Sequence, residues 1–178
     1  NNEIGENEIR YHKTKTMKHF VFILSIISLG STLNAQNQDS LAIIQVISGY
    51  ENAFNQKDPK AYANLFSEDA DFVNWQGKSV HGRDSIEAFH IKTFKNLRTT
   101  QLKFISHTIR FIKPDVAYVD INLININMTT PDGKPLPNRE VMLVWVMTKL
   151  HGKWFIKVNR TIMLNDGSKD SNIKTTQQ

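Results

Sequence analysis

Four long segments in the second half of the chain carry apolar side chains at every second position, which strongly restricts the fold. A two-residue period is typical of a half-buried β-strand. The connectors Lys113–Asp115 and His151–Lys153 are too short for a crossover, so strands joined by them pair antiparallel. The four predicted strands are Leu102–Ile112, Val116–Met128, Glu140–Leu150 and Trp154–Met163.

The first half of the chain predicts three helices and a short hairpin. Asp58 followed by Pro59 is typical of a helix start, because Asp caps the helix and proline needs no hydrogen bond in the first turn. In chain order the predicted elements are a helix over Asp39–Asn55, a helix over Lys60–Phe66, strands Asp71–Trp75 and Ser79–His81, and a helix from Arg83. Helices segregated from strands define an α+β domain. We expect a strongly curved antiparallel sheet with the three helices on its concave side and a cavity where helices and sheet diverge.

The N-terminal region has the pattern of a secretory signal peptide. A basic start after Met17 precedes the uncharged run Phe20–Leu29, and the small residue Ala35 follows. The apolar run is shorter than the roughly 20 residues that span a bilayer. We therefore expect translation to start at Met17, cleavage between Ala35 and Gln36, and a protein exported to the periplasm or the medium without a membrane anchor.

These boundaries leave one domain, and its composition and charge exclude several classes of function. Residues 1–16 are expected to lie upstream of the fold, residues 17–35 in the signal peptide, residues 36–164 in the domain and residues 165–178 in a disordered polar tail. The absence of cysteine excludes disulfide scaffolds, thiolate metal sites and cysteine nucleophiles. The formal net charge of +5 is scattered rather than clustered, which argues against a nucleic-acid groove. With neither a phosphate loop nor paired histidines, we expect no cofactor and no metal.

Two predicted strands carry polar side chains among apolar neighbours. If the face that bears Asp120 and Asn122 lines the cavity, Asp120 is desolvated and is a candidate general base. Otherwise this pair faces solvent and the opposite face of the sheet is the core. Arg139 shares a face with Val141 and Trp145, where it either binds a carboxylate or enolate of a ligand or forms a surface ion pair.

The helices and the hairpin supply further candidates. Tyr50 lies on the apolar face of its helix, where it either donates a hydrogen bond to a ligand carbonyl or is a satisfied core residue. His90 lies on the apolar side of the third helix, where it is either a hydrogen-bonded core residue or a proton carrier. Asn74 and Trp75 are adjacent in a predicted strand, so only one of them should point inward, and we favour Asn74.

The element order and several motifs resemble the SnoaL-like branch of the nuclear transport factor 2-like superfamily, and within it the SgcJ/EcaC-type group. The resemblance covers residues 39–163, and its motifs are Leu65–Val73, Gly77, His81–Ile86, Arg139–Val144 and Gly152–Ile156. It implies a cone-shaped α+β barrel, often dimeric, with a pocket inside the cone. Members of the group include isomerases, cyclases, dehydratases and proteins of unknown chemistry.

The catalytic pattern of one relative, ketosteroid isomerase, is only partly present. In that enzyme the oxyanion-binding tyrosine lies eight residues before an Asp that starts the next helix. Tyr50 and Asp58 have the same separation. The position of its general base is Asn74, whose amide cannot accept a proton at neutral pH. The position of its second oxyanion donor falls nearest Trp145. The resemblance therefore argues against a steroid-type isomerisation.

Together these observations predict a domain that binds a small, mostly apolar molecule in its cone. The expected ligand-binding residues are Tyr50, Asn74, Trp75, His90, Asp120, Asn122, Arg139 and Trp145. One alternative is a cofactor-free acid–base enzyme acting on a carbonyl substrate, in which Tyr50 polarises the oxygen and Asp120 or His90 moves the proton. The other alternative is a non-catalytic dimeric interaction module. A homodimer is compatible with all three of these possible functions.

Overall fold

The computed structural model describes residues 36–164 of the chain. The chain divides into two compact units, Asn1–Leu41 and Ala42–Gln178, and the described part of the first unit, residues 36–41, is helical. The expected upstream segment, signal peptide and polar tail lie outside the described residues. Among the helices of residues 36–164, none has both the length and the apolar character needed to cross a bilayer.

The described residues form three helices and one six-stranded sheet. The strands lie in the order β2-β1-β6-β5-β4-β3, and β3 to β6 form the antiparallel series that the alternation predicts. The curved α+β architecture is thereby confirmed. The elements are α1 (residues 36–56), α2 (Pro59–Ala63), β1 (Phe66–Val73), β2 (Ser79–His81), α3 (Arg83–Asn96), β3 (Gln101–Lys113), β4 (Val116–Ile126), β5 (Arg139–Leu150) and β6 (Lys153–Met163).

Strand β1 differs from the prediction in its start and in its pairing. The second helix ends at Ala63 rather than Phe66, and Phe66 already belongs to the strand. Residues 68 and 69 are polar and exposed, and the register with β6 shifts between Phe66 and Asp71, so this segment lacks the alternation of a regular strand. β1 pairs antiparallel with β2 but parallel with β6, which makes the sheet mixed rather than wholly antiparallel.

The core lies between the helices and one face of the sheet. Helix α1 contributes Ile43, Ile47, Tyr50 and Ala53, and buried residues of α2 and α3 join the same cluster. On β4 the buried residues alternate with partly exposed ones, so one face of the sheet packs against the helices and the other is the outer face. The largest fully buried side chains are Trp145, Tyr62, Phe66, Ile43, Ile86, Ile121, Leu123, Leu143, Met147 and Ile156.

Candidate functional site

A cavity of about 470 Å³ opens at the end of the sheet where β1 and β6 end and β3 and β5 begin. This volume lies within the range of small-molecule sites. All three helices and five strands contribute to its lining. Its mouth is bordered by the exposed residues Trp75, Lys78, Lys92 and Asn96. Its buried apolar lining comprises Phe72, Leu102, Leu123, Met128, Val141 and Leu143.

Two tyrosines form a hydrogen-bonded pair in the buried part of the cavity. The hydroxyl of Tyr62 donates to the hydroxyl of Tyr50 at 2.5 Å, and both residues are fully buried and line the cavity. Burial raises the pKa of both phenols well above the ordinary value of 10, so both stay protonated at neutral pH. Since Tyr50 accepts the proton of Tyr62, its own O–H is a donor, and among the described residues it has no acceptor.

The ring of Trp145 lies behind Tyr50 rather than at the cavity surface. The two ring centroids are 5.0 Å apart, and Trp145 is fully buried. Its indole Nε1 donates to Oδ1 of Asn159 at 2.7 Å, which satisfies the one polar atom of the side chain. The structure thus places Trp145 as a packing support for Tyr50 and not, as expected, as a residue that touches a ligand.

His90 lines the cavity from α3 and has a defined tautomer. Its Nδ1 lies 2.8 Å from the carbonyl oxygen of Ile86. A carbonyl only accepts, so the proton is on Nδ1, and Nε2 keeps a free lone pair. Burial among the rings of Tyr62, Phe72 and Phe94 lowers the pKa of His90 to about 4. The imidazole is therefore neutral at pH 7, and Nε2 is an acceptor without a partner among the described residues.

Asn74 and Trp75 both line the cavity, so the prediction that only one of them points inward is wrong. The reason is that β1 ends at Val73, and the two residues lie in the following turn, where strand alternation does not apply. Oδ1 of Asn74 accepts hydrogen bonds from the backbone amides of Gln76 at 3.0 Å and Lys78 at 2.9 Å. Asn74 thus shapes the turn that holds Trp75 at the mouth.

Asp120 and Asn122 lie outside the cavity, so their expected role as ligand-binding residues is wrong and the alternative, a pair on the face opposite the core, is the one observed. Their neighbours Val119 and Ile121 are fully buried against the helices, so the two-residue period turns Asp120 and Asn122 to the outer face. Asp120 lies 3.9 Å from Nη1 of Arg110, and the amide of Asn122 donates to the hydroxyl of Ser106 at 3.1 Å. In this position Asp120 cannot move a proton in the cavity.

Arg139 lies on the inner face of β5 with Val141 and Leu143, as its alternation predicts, and lines the cavity near the mouth. Its guanidinium lies 5.3 Å from the centre of the Trp75 ring. Its Nε is buried and has no hydrogen-bond partner. The alternative of a surface ion pair is not realised within residues 36–164.

Sequence reasoning missed Tyr62 and the two lysines at the mouth. Tyr62 belongs to a helix of five residues, which is too short to show an apolar stripe, although the Asp58 cap predicts that a helix is there. Lys78 and Lys92 are separated in sequence, and only the fold brings them to one opening. Within residues 36–164, no three His, Asp or Glu side chains are grouped closely enough to hold a metal ion.

Comparison with solved structures shows the same fold in several bacterial proteins. One is an uncharacterised protein with a cystatin-like fold from Caulobacter vibrioides, 26% identical, covering 71% of this chain and 90% of its own, with a TM-score of 0.65. A candidate scytalone dehydratase from Novosphingobium aromaticivorans is 19% identical and covers 74% and 88%, with a TM-score of 0.65. A nuclear transport factor 2-like protein from the same organism is 16% identical and covers 78% and 89%, with a TM-score of 0.66. The likeness to these last two concerns the fold alone.

The family comparison covers most of the chain. No curated protein matches the chain significantly. The family model for the SnoaL-like domain matches residues 35–160, which is well over half of the sequence. Because this match covers more than half of the sequence, the chain belongs to the SnoaL-like domain family.

Proposed function

We propose that this domain binds a small, mostly apolar molecule whose polar end carries a carbonyl or hydroxyl oxygen. One observation carries the proposal: among the described residues the O–H of Tyr50 has no acceptor and Nε2 of His90 has no donor, and both side chains line one apolar cavity. A free donor and a free acceptor at the wall of an apolar cavity can each hydrogen-bond to a polar group of an occupant, and such placed polar groups in an apolar lining are typical of small-molecule sites.

The two polar groups define which oxygen fits. Tyr50 offers a proton and His90 offers a lone pair, because the phenol stays protonated and the imidazole stays neutral at pH 7. A carbonyl oxygen accepts from Tyr50, whereas a hydroxyl accepts from Tyr50 and also donates to His90. The apolar lining that surrounds them favours a hydrocarbon body around that oxygen.

A thermal-shift titration with 2-acetylnaphthalene tests this proposal, because this probe is neutral, bicyclic and carries a single carbonyl. We expect saturable stabilisation of the wild-type protein. Tyr50→Phe should weaken binding about tenfold, since it removes one hydrogen bond of about 1.4 kcal/mol. The matched control Tyr118→Phe removes a hydroxyl from the outer face and should bind like the wild type. Equal affinity of Tyr50→Phe and wild type, or no binding at all, contradicts the proposal.

A cofactor-free acid–base enzyme acting on a carbonyl compound is the second candidate. The hydrogen bond from Tyr62 favours it, because a donor that itself accepts a hydrogen bond is polarised and stabilises a developing oxyanion better. The low pKa of His90, about 4, makes it a weak general base at pH 7, so binding is the better supported function.

Deuterium exchange at the α-carbon of 2-tetralone, followed by proton NMR, separates the two candidates. Catalysis predicts that the wild-type protein accelerates the exchange and that His90→Gln abolishes this acceleration, because glutamine cannot take the proton. Pure binding predicts the same exchange rate with and without the protein.

We also propose that the protein is a homodimer. Large apolar side chains are exposed on the sheet, among them Ile105 and Ile112 of β3 and Ile162 of β6. Light scattering after size exclusion should give twice the mass of the chain, and a monomer at all concentrations contradicts this proposal.

Export is a further proposal, supported by the apolar run Phe20–Leu29 after the basic start at Met17. Mass spectrometry of the protein from a bacterial periplasm should find an N-terminus at Gln36. An uncleaved chain that stays in the cytoplasm contradicts it.

A further inference from the structure

The charged side chains among the described residues that line the cavity are all cationic. Lys78, Lys92 and Arg139 contribute three cations, whereas no aspartate or glutamate is among the described lining residues. Low-dielectric walls strengthen the field of such an unbalanced set and favour an anion. Among mostly apolar ligands, the cavity should therefore bind one with a negative charge more tightly than a neutral one.

Arg139 is the cation best placed to bind that anion directly. It makes no ion pair and no hydrogen bond within residues 36–164, and its Nε is buried without an acceptor. The Trp75 ring lies 5.3 Å from its guanidinium carbon, which is a cation–π contact. This contact leaves the N–H groups at the edge of the guanidinium plane free, and a carboxylate binds such an edge through two parallel hydrogen bonds.

Strand β5 gives the spacing between this charge and the polar groups at the buried end. Arg139, Val141 and Leu143 line the cavity from one face, on which successive side chains follow at roughly 7 Å. Arg139 and Leu143 are therefore roughly 13 Å apart along the strand. Tyr50 packs against Trp145, which follows Leu143 on the same face. A ligand that reaches both Arg139 and Tyr50 must be elongated.

We propose that the ligand of this cavity is an elongated carboxylic acid, whose carboxylate binds Arg139 beside Trp75 and whose far oxygen binds Tyr50. This inference rests on the proposed function and adds the class of ligand and its orientation. The carboxylate lies at the mouth, where Lys78 and Lys92 add to the field, and the apolar body occupies the lining between the two ends.

A matched pair of probes tests the inference separately from the proposed function. Both 6-acetyl-2-naphthoate and 6-acetyl-2-naphthamide carry the acetyl group for Tyr50 and have the same shape, but only the first is charged. Calorimetry should show that the wild-type protein binds the carboxylate at least tenfold tighter than the amide. Arg139→Gln should remove this preference, because it weakens binding of the carboxylate much more than binding of the neutral amide. The control Arg110→Gln removes a cation from the outer face and should keep the preference.

The pattern of outcomes decides between the two proposals. Equal affinity of the wild type for both probes overturns the carboxylate inference and leaves the proposed function standing. Failure of both probes to bind overturns both. A preference that survives Arg139→Gln but disappears in Lys78→Gln or Lys92→Gln also overturns the inference, because the lysines would then bind the anion. The wild-type comparison tests the preference for a carboxylate even where a variant fails to fold.

Discussion

At the scale of single residues, the two tyrosines in the cavity should differ in their effect on stability. Tyr50→Phe removes the acceptor and leaves the buried Tyr62 hydroxyl unsatisfied, which costs about 1–3 kcal/mol. Tyr62→Phe removes the donor, and Tyr50 keeps a hydroxyl that faces the cavity, so the cost is about 1 kcal/mol. Urea unfolding of both variants measures the difference. An equal loss of stability in both variants, or a larger loss in Tyr62→Phe, would contradict donation from the Tyr62 hydroxyl to the Tyr50 hydroxyl.

The neutral state of His90 should make the free energy of unfolding depend on pH. Its pKa is lowered from 6.5 to about 4 in the folded protein, because burial disfavours the charged imidazole. Below pH 6.5 the unfolded chain binds a proton that the folded His90 does not, so stability falls as the pH drops from 6.5 towards 4. Stability is highest above pH 6.5, and the full loss of about 3 kcal/mol is reached below about pH 4.

Urea unfolding at several pH values checks this effect against His90→Gln, which cannot titrate. The variant should lose less stability than the wild type between pH 6.5 and pH 4. Parallel curves for the two proteins would show that His90 is protonated equally in the folded and unfolded states.

At the scale of secondary-structure elements, one side chain links α1 to β3. Nδ2 of Asn55 donates to the carbonyl of Leu102 at 2.9 Å, and Oδ1 accepts from the amide of Leu102 at 2.7 Å. Asn55→Ala leaves both backbone groups without this partner, and we expect a loss of about 2 kcal/mol in urea unfolding. Asn52→Ala, an exposed position on the same helix, is the matched control and should change stability by less than about 0.5 kcal/mol. Similar losses for both variants would refute the link.

Local periodicity predicts the elements but not how they are brought together. The long strand predicted over Leu102–Ile112 is Gln101–Lys113 in the structure, one residue longer at each end, although its register with β4 shifts between Phe104 and Ser106. Alternation also groups Asp120 with Asn122, but it cannot tell which face of the sheet meets the helices. The parallel pairing of β1 with β6 joins distant segments and leaves no local pattern.

The same limit holds for the candidate site. Tyr50, His90 and Arg139 lie on the faces that their spacing predicts, and each lines the cavity. Tyr62 was not predicted, since its place beside Tyr50 depends on how a five-residue helix packs. Residues that share a face are thus predictable from one chain, whereas partners across elements require the fold.

At the scale of the whole molecule, fold and chemistry are separate questions. The fold is shared with solved structures that are 16% to 26% identical, and a shared fold hosts many functions. The function of this chain must therefore be argued from its own side chains. The donor at Tyr50, the acceptor at His90 and the cation at Arg139, which has no ion-pair partner within residues 36–164, are the groups on which that argument rests.

The parallel pairing of β1 with β6 has a consequence for the order of folding. Phe66 pairs with Ile156, so this contact closes a loop of about 90 residues, whereas β3 to β6 follow one another in sequence. Local hairpins form faster than such a distant contact, and we expect β3 to β6 to form first and β1 to join late. Stopped-flow kinetics should show that Phe66→Leu mainly accelerates unfolding and that Val119→Ala mainly slows folding. The reverse pattern would contradict this order.

The late strand β1 and the early strands β3 to β6 both contribute to the cavity wall, for example Phe72 from β1 and Leu143 from β5. The binding site is therefore complete only after the last strand has joined. A guest molecule should lengthen the lifetime of the native protein without speeding its formation.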